Sequence, residues 1–469
     1  ATFGGIVNMV SKKTNYLENG FQGKFSSGYE TNGNSFVNML QMLYIKEKYD
    51  VVGNFGYRNF GNYKDGDGTE IPSSFLSTDY GLKIGYNFTD NERLQFHWRQ
   101  SFGRDVLHAG LPMDTEYDNS SIASIDYKKT FTDKKLKSIS AKTYYSFVDH
   151  LMSNTNRPSF MMMEASSAVN ATTVGGKIEL NWQPTKNLEL FSGVDAMLVS
   201  RDGTRTRLVK IMNGNTLPNP VEFNDKVWQD SYVNDYGLFT EAKWLLTENT
   251  LLTAGVRYDR VISDIQDPEA DFEALYDLNK RTENNISGTV SIKKIISKKI
   301  TLEAAFGRGV RSANMIERFI NHFNVGQDPY EYIGNPNLKA EVNNQFEVGF
   351  KAKNNKNTIK YSASVYYSDL ENFIVGIVDP TKTRKFMPTA QPTNPKVFQN
   401  LNNAYRTGFE ASFETAILND YYLKSEMAYV YSKNNDLDES LPLTPPFNGR
   451  IILGVNKPKF WANLQYNIT

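Results

Sequence analysis

The sequence contains no cysteine in its 469 residues, which excludes disulfide bonds and thiolate metal sites within the chain. No apolar run approaches the roughly 18 residues that a membrane-spanning helix needs. Positive and negative charges balance to a formal net charge of +0, so we predict no nucleic-acid partner. No signal peptide precedes the opening ATFGGIVNMV, and we therefore expect the chain to be a fragment of a longer protein.

Motifs typical of enzymes are also missing. The chain has no nucleophile elbow, no P-loop and no HExxH pair, and its Ser, His and Asp residues are scattered. The glycine-rich GRGVR segment lacks the strand-to-helix context that phosphate binding requires. We predict that the protein is not an enzyme and has no catalytic cofactor.

Alternating segments rich in aromatic residues are abundant instead. The chain has 27 Tyr and 29 Phe, yet its mean hydropathy is only −0.50. Residues 300–310, ITLEAAFGRGV, and 345–352, QFEVGFKA, alternate apolar side chains with polar or small ones. A period of two predicts strands with one apolar face and one polar face.

About nineteen such strands follow one another from residue 20, and their connections alternate in length. Short polar turns occur near residues 46, 88, 132, 183, 246, 296, 353 and 418. Long connections occur near 60–77, 104–120, 153–167, 202–226, 264–282, 311–342, 376–396 and 434–447. Short turns on one side and long loops on the other are typical of an up-and-down antiparallel meander.

The number of strands indicates where the apolar faces point. A closed barrel of this many strands has a lumen too wide for side chains to fill, so the apolar faces must point outward into lipid. An open sheet would expose its edges in hydrocarbon, which is not tolerated. We therefore predict an all-β transmembrane up-and-down antiparallel β-barrel in a bacterial outer membrane. Because bacterial barrels have even strand counts, we expect the last strands to lie outside this chain.

Several segments resemble, in the same order, motifs of the TonB-dependent outer-membrane receptors. Residues 4–13 resemble the last strand of that family's plug domain, 307–311 and 333–341 its G-x-R and GNP-x-L-x-x-E block, and 402–410 its N-x-A-x-x-x-G-x-E strand. The matching positions are Gly4, Gly5, Gly307, Arg311, Gly334, Asn335, Pro336, Glu341, Gly408 and Glu410.

The resemblance implies a 22-stranded barrel plugged by an N-terminal domain. About 19 of those strands would then lie in this chain, with residues 1–13 as the end of the plug and 14–469 as a C-terminally incomplete barrel. It also implies energised import of a scarce solute. Its expected partners are outer-membrane lipid, a small solute or metal ligand, and the TonB complex, which the absent N-terminal part would contact.

A narrower resemblance concerns copper. Residues 104–114 and 148–154 resemble the copper-receptor branch, in which a His-x-Met pair on the barrel works with a Cys-x-x-x-Met pair on the plug. Carried over, the pair here is His150 and Met152. The strand parity places both side chains towards the lumen near the outer mouth. Imidazole and thioether groups suit Cu(I), but two ligands are too few, so we expect further ligands from the plug.

Each candidate ligand has a structural alternative. His150 and Met152 could pack against the plug or loops, and Met161, Met162 and Met163 could form either a soft-metal funnel or apolar loop packing. His108 is a secondary candidate whose alternative is a solvated or plug-contacting role. The Asn335-Pro336 segment has a structural alternative as a turn at which a long loop rejoins the sheet.

Three functional hypotheses remain from the sequence. The first is a receptor that imports a metal ion or metal chelate, with copper favoured as the bound substrate. The second is a receptor of the same family for a ferric siderophore, cobalamin or another small organic ligand. The third, from a different class, is a passive porin or an adhesion barrel.

Overall fold

The computed structural model describes residues 18–212, 214–324, 328–386, 390–418 and 420–469. Within these ranges the chain is almost entirely β-structure. No helix among them is long and apolar enough to cross a membrane. The predicted plug strand, with Gly4 and Gly5, lies outside the described residues.

The strands are numbered in chain order. The first nine are β1 Gly20–Glu30, β2 Ser35–Ile45, β3 Tyr49–Phe60, β4 Tyr63–Lys64, β5 Glu70–Ile71, β6 Phe75–Thr89, β7 Glu92–Val106, β8 Asp114–Thr130 and β9 Leu136–Ser153. The next nine are β10 Met163–Thr185, β11 Leu188–Met212, β12 Asn215–Lys226, β13 Ser231–Thr247, β14 Thr250–Ile265, β15 Arg281–Ser297, β16 Ile300–Arg311, β17 Phe323–Asn324 and β18 Glu331–Ile333. The last eight are β19 Glu341–Lys353, β20 Ile359–Glu371, β21 Phe373–Val378, β22 Lys396–Leu401, β23 Ala404–Leu418, β24 Tyr421–Asn434, β25 Asn448–Lys457 and β26 Phe460–Ile468. The helices are a 3-10 turn Pro158–Met161, α1 Ala270–Glu273 and α2 Met315–Phe319.

Nineteen of these strands form one antiparallel meander, as predicted. Each pairs with the next in the order β1, β2, β3, β6, β7, β8, β9, β10, β11, β13, β14, β15, β16, β19, β20, β23, β24, β25 and β26. The predicted alternation of short turns and long loops is confirmed, because long connections follow β3, β7, β9, β11, β14, β16, β20 and β24.

One predicted loop is a strand pair instead. Residues 202–226 were expected to be irregular, but β11 continues to Met212 and pairs with β12 through Thr204–Val209. The physical reason is an ion-pair network: Arg205 and Arg207 both bind Asp225. With charged side chains on the buried side, this hairpin lacks the alternation of apolar and polar residues that identified the other strands.

The predicted face assignment is confirmed for the strands that first indicated a barrel. Phe306, Phe346 and Phe350 are 46%, 54% and 41% exposed on the outer side. On the opposite face of the same strands, Lys351 Nζ lies 3.3 Å from Glu303 Oε2. The lumen is therefore lined by polar and charged side chains, while the apolar side chains face outward.

The long loops at one end of the sheet fold together into a unit, here named the loop cap. It consists of the described parts of residues 312–340 and 372–403. A four-stranded sheet, β17–β18–β22–β21, joins its two segments, and β18 pairs with β22 in parallel. Its apolar centre packs Phe319, Ile320 and Leu338 against Val227 and Trp228. Phe386 of the same cap reaches Met163 of β10, so the cap extends over the mouth.

Candidate functional site

A cavity of ≈ 860 Å³ lies where the outer ends of β9, β10 and β11 meet the loop after β7. The candidate ligands His150 and Met152 line it, and so does the secondary candidate His108. The structure thus brings together three residues that are up to 44 positions apart in sequence. Apolar side chains and an arginine complete the wall, among them Val148, Val169 and Arg201.

Asp118 positions the His150 imidazole. The two residues lie opposite each other in the β8–β9 register, and His150 Nδ1 is 3.0 Å from Asp118 Oδ2. Because a carboxylate can only accept, this contact places a proton on Nδ1 and leaves the Nε2 lone pair free to bind a ligand. A carboxylate behind an imidazole is also the arrangement that raises the basicity of histidine ligands in metal sites.

Met152 follows two residues after His150 on the same side of β9, which places the two Cα atoms roughly 7 Å apart. Met152 is partly buried and packs against a cluster that includes Met113, Met163 and Phe386. Met152 therefore contributes a polarizable thioether to the cavity wall, and the buried thioethers of Met113 and Met163 pack with it in the neighbouring cluster.

His108 approaches the same cavity from the loop after β7. Its Nε2 is 3.0 Å from Thr115 Oγ1, and its backbone N–H donates to Asp114 Oδ1 at 2.9 Å. Burial lowers the pKa of His108; Asp114 opposes this shift, while Arg157 and His150 add to it. The His108 imidazole is consequently neutral near pH 7, which is the form that can coordinate a metal.

The three consecutive methionines do not form one group. Met161 and Met162 are 74% and 48% exposed at the surface, whereas Met163 is only 7% exposed and begins β10. Of these three methionines, Met163 belongs to the buried cluster against which Met152 packs. The described residues contain no group of three or more His, Cys, Asp or Glu side chains that could hold a metal ion. A copper site at His150 and Met152 would need further donors.

The GNP segment, Gly334 to Pro336, makes structural contacts within the loop cap. Gly334 lies so close to α2 that a Cβ there would be 2.6 Å from the Arg318 carbonyl, so only glycine fits. Asn335 Nδ2 donates to Phe398 O at 3.0 Å, and the Pro336 carbonyl accepts from Arg318 Nη1 at 2.8 Å. These contacts make the segment a docking point between the two halves of the cap.

The neighbouring family positions lie on the wall beneath the cap. Arg311, at the end of β16, binds both Glu341 and Glu317, with Nε to Glu341 Oε2 at 2.7 Å. Gly307 lies on the same strand, and a Cβ there would meet Thr289 at an ordinary 3.5 Å. Gly408 and Glu410 lie on β23, where a Cβ on Gly408 would be 2.5 Å from the Tyr429 carbonyl.

Three important residues of the site were not predicted from the sequence: Arg201 and Trp228 in the cavity wall, and Asp118 behind His150. The strand parity of Asp118 would have placed it inside the barrel, but its partner depends on the register with β9. Arg201 and Trp228 meet only because the chain turns back after β12, and no local pattern indicates this contact.

Comparison with known proteins identifies a family whose model matches most of this chain. A family model described as "TonB dependent receptor-like, beta-barrel" matches residues 25–469. Among curated proteins, the heme transporter BhuA of Brucella ovis is 25% identical over 249 residues, covering 51% of this chain and 34% of its own length. The chain thus spans about a third of that relative.

Solved structures share the fold at low sequence identity. The copper transporter OprC superposes with a TM-score of 0.80 and 19% identity, covering 96% of this chain and 69% of its own. The iron transporter FrpB of Neisseria meningitidis gives a TM-score of 0.64 and 12% identity, covering 96% and 68%. The hemophore receptor HasR of Serratia marcescens, in complex with its hemophore and heme, gives 0.67 and 16%, covering 96% and 73%.

Proposed function

This chain belongs to the TonB-dependent receptor-like β-barrels of the bacterial outer membrane, and we propose that it forms the barrel of a receptor that imports a metal ion or a metal chelate. Copper is the leading candidate for the metal. The receptor would draw energy from the TonB complex through a segment outside this chain. The family and the fold are those of transport receptors rather than enzymes.

The observation that carries the copper proposal is the shared cavity of His150, Met152 and His108. His150 has its Nδ1 bound to Asp118 and its Nε2 available, and Met152 supplies a thioether beside it. Imidazole and thioether are the ligand types that copper prefers over hard cations. The name of the structural neighbour OprC, a copper transporter, supports the same metal.

A second candidate is an iron-siderophore or heme receptor. The cavity, at ≈ 860 Å³, is far larger than a bare ion and falls in the size range of sites for small organic molecules. The named functions of BhuA, FrpB and HasR also favour this class. A passive porin fits less well, because the loop cap extends from Phe319 to Phe386 over the mouth.

Copper titration of the complete receptor, purified in detergent, tests the first proposal. We expect His150→Ala and Met152→Ala each to weaken copper binding by roughly tenfold or more, since each removes a direct ligand. Met161→Ala is the matched control, because that thioether is 74% exposed and lies outside the cavity. Unchanged stoichiometry and affinity in both cavity variants would remove these residues from the copper site and leave the chelate hypothesis.

A further inference from the structure

Three arginines project to the same side of the outer half of β11, and they differ in their partners. Arg205 Nε lies 3.0 Å from Asp225 Oδ2, and Arg207 Nε lies 2.6 Å from the same oxygen. Arg201 forms no ion pair or side-chain hydrogen bond with any residue that the structure describes. Its guanidinium stacks on the Trp228 ring instead, with 4.8 Å from Cζ to the ring centroid.

An arginine of this kind requires an anion. Arg201 is half-buried, and its Nε is inaccessible to solvent without a hydrogen-bond partner. Burying a charge without a counter-charge is unfavourable, whereas charge-assisted hydrogen bonds to a carboxylate are among the strongest in proteins. Stacking on Trp228 fixes the guanidinium plane and leaves its edge, with the terminal N–H groups, available to a ligand.

Two further buried polar side chains lack partners in the same cavity wall: Trp228, which stacks on Arg201, and Ser167, which lies opposite Arg205 in the β10–β11 register. Trp228 is 5% exposed and Ser167 is 1% exposed, and neither Trp228 Nε1 nor Ser167 Oγ has a hydrogen-bond partner in the described chain. Arg201, Trp228 and Ser167 all line the cavity that contains His150. Trp228 Nε1 and Ser167 Oγ are inaccessible to solvent, so the terminal N–H groups of Arg201 are the donors that a ligand in the cavity would meet.

The other residues of the cavity wall indicate the chemistry of the remaining part of that ligand. Val148, Val169, Ala171 and Phe323 give it an apolar middle section. His150 and Met152, also in the wall, are the candidate metal donors. The cavity therefore combines a cationic donor group, an apolar surface and metal-binding side chains within ≈ 860 Å³, which is the volume of a small organic molecule rather than an ion.

We propose that Arg201, oriented by Trp228, forms an anion subsite that holds the carboxylate of a small metal chelate, with the metal facing His150 and Met152. This inference rests on the proposed import function and specifies its substrate class. The subsite is separate from the metal donors, so the two can be tested independently.

Isothermal titration of the complete receptor with three probes tests the subsite: copper picolinate, picolinate alone and a copper salt alone. We expect Arg201→Gln to weaken binding of copper picolinate by roughly tenfold or more, because it removes a charge-assisted pair. Arg201→Lys should retain part of the affinity. Arg308→Gln is the matched control, since Arg308 is exposed on the outer face of β16 and bonds only Asn344. Copper salt alone should bind Arg201→Gln as it binds the native receptor.

The outcomes separate this inference from the copper proposal. Equal affinity of Arg201→Gln and the native receptor for copper picolinate would overturn the subsite. Failure of the native receptor to bind either picolinate probe would also overturn the subsite. The partner of Arg201 would then be a carboxylate from another part of the receptor. If His150→Ala and Met152→Ala leave copper binding unchanged while Arg201→Gln abolishes chelate binding, the anion subsite is supported and the direct copper site is contradicted. Thermal unfolding of each variant verifies that it is folded.

Discussion

The loop cap and the cavity beside it each contain an arginine, and the two arginines differ in their partners. Arg318, in the cap, is 0% exposed and donates to Glu283 at 2.6 Å and to the carbonyls of Pro336 and Leu338 at 2.8 and 3.1 Å. Arg201, in the cavity wall, contacts the face of Trp228 and forms no ion pair with any residue in the described ranges. Complete pairing is what a structural support requires, whereas unpaired donors are what a binding site retains for its ligand.

The carboxylates Glu331 and Asp118 differ in a similar way. Glu331 of the cap is 1% exposed and accepts from the backbone N–H groups of Lys385 and Phe386 at 2.8 and 2.7 Å, while His322 Nδ1 lies 2.9 Å away. His322 is thus a structural residue of the cap. Asp118 of the cavity instead supports His150, whose second nitrogen stays free for a ligand.

The largest effect is expected from breaking the cap. Arg318→Ala removes the donor to Glu283 Oε2 and to the carbonyls of Ala313, Pro336 and Leu338, so we expect a loss of about 3–5 kcal/mol in the free energy of unfolding. Denaturant unfolding of the detergent-solubilised receptor measures it, and limited proteolysis should cleave within residues 312–340. Arg281→Ala is the control, because Arg281 is 30% exposed and only 3.4 Å from Glu283. Full protease resistance of Arg318→Ala would show that the cap does not depend on this residue.

An intermediate effect is expected from acid. Burial of Asp225 opposes its ionisation, but Arg207, Arg205 and Lys385 outweigh burial and lower the pKa of Asp225 from 3.8 to about 2. A lowered folded-state pKa contributes stability that is complete above about pH 4 and is lost as the pH falls through about 2. The contribution is about 2 kcal/mol.

Comparing unfolding at pH 6 and pH 2 measures this contribution. The native receptor should lose about 2 kcal/mol more than Asp225→Asn does, because the variant cannot titrate at this position. Other carboxylates titrate in both proteins and cancel in the difference. Identical pH dependence of the two proteins would contradict a stabilising role for the ion pairs of Asp225 in the β11–β12 hairpin.

The smallest effect is expected on the cavity side, and it concerns binding rather than stability. Asp118→Asn keeps the shape of the side chain but removes the charge behind His150, so we expect copper affinity to fall roughly tenfold. The free energy of unfolding should change by no more than about 0.5 kcal/mol. Ser120→Ala is the control, because Ser120 also bonds Asp118, through Oγ at 2.8 Å, without contacting His150. A large loss of stability in Asp118→Asn would show that Asp118 supports the fold, as the cap residues do, rather than ligand binding.

Much of the fold could be predicted because a barrel strand carries its signal locally. Alternation in segments such as 300–310 fixes which side chains face outward, and Phe306 and Phe346 lie where that alternation predicts. The alternation of short turns and long loops predicts that each strand pairs with the next one along the chain. The β12 hairpin and the cap strands could not be predicted, since β17 and β18 are only two and three residues long and β18 pairs with β22 across more than 60 residues.

The candidate site was predicted in part for the same reason. Parity placed His150 and Met152 on one side of β9, and the structure puts both in the wall of one cavity. Arg201 has the same kind of parity, but its importance lies in a missing partner, which only the folded chain reveals.

The parallel pairing of β18 with β22 has a consequence for loop exchange between barrels. Tyr332 and Ile333 come from one loop, and their partners Lys396 and Val397 come from the next. Asn335 and Asn400 reinforce the junction through Phe398 and Lys339. The two loops therefore form one structural unit. Grafting either loop alone onto a related barrel would leave its strands without their partners, so we expect a functional loop exchange between receptors to require both loops.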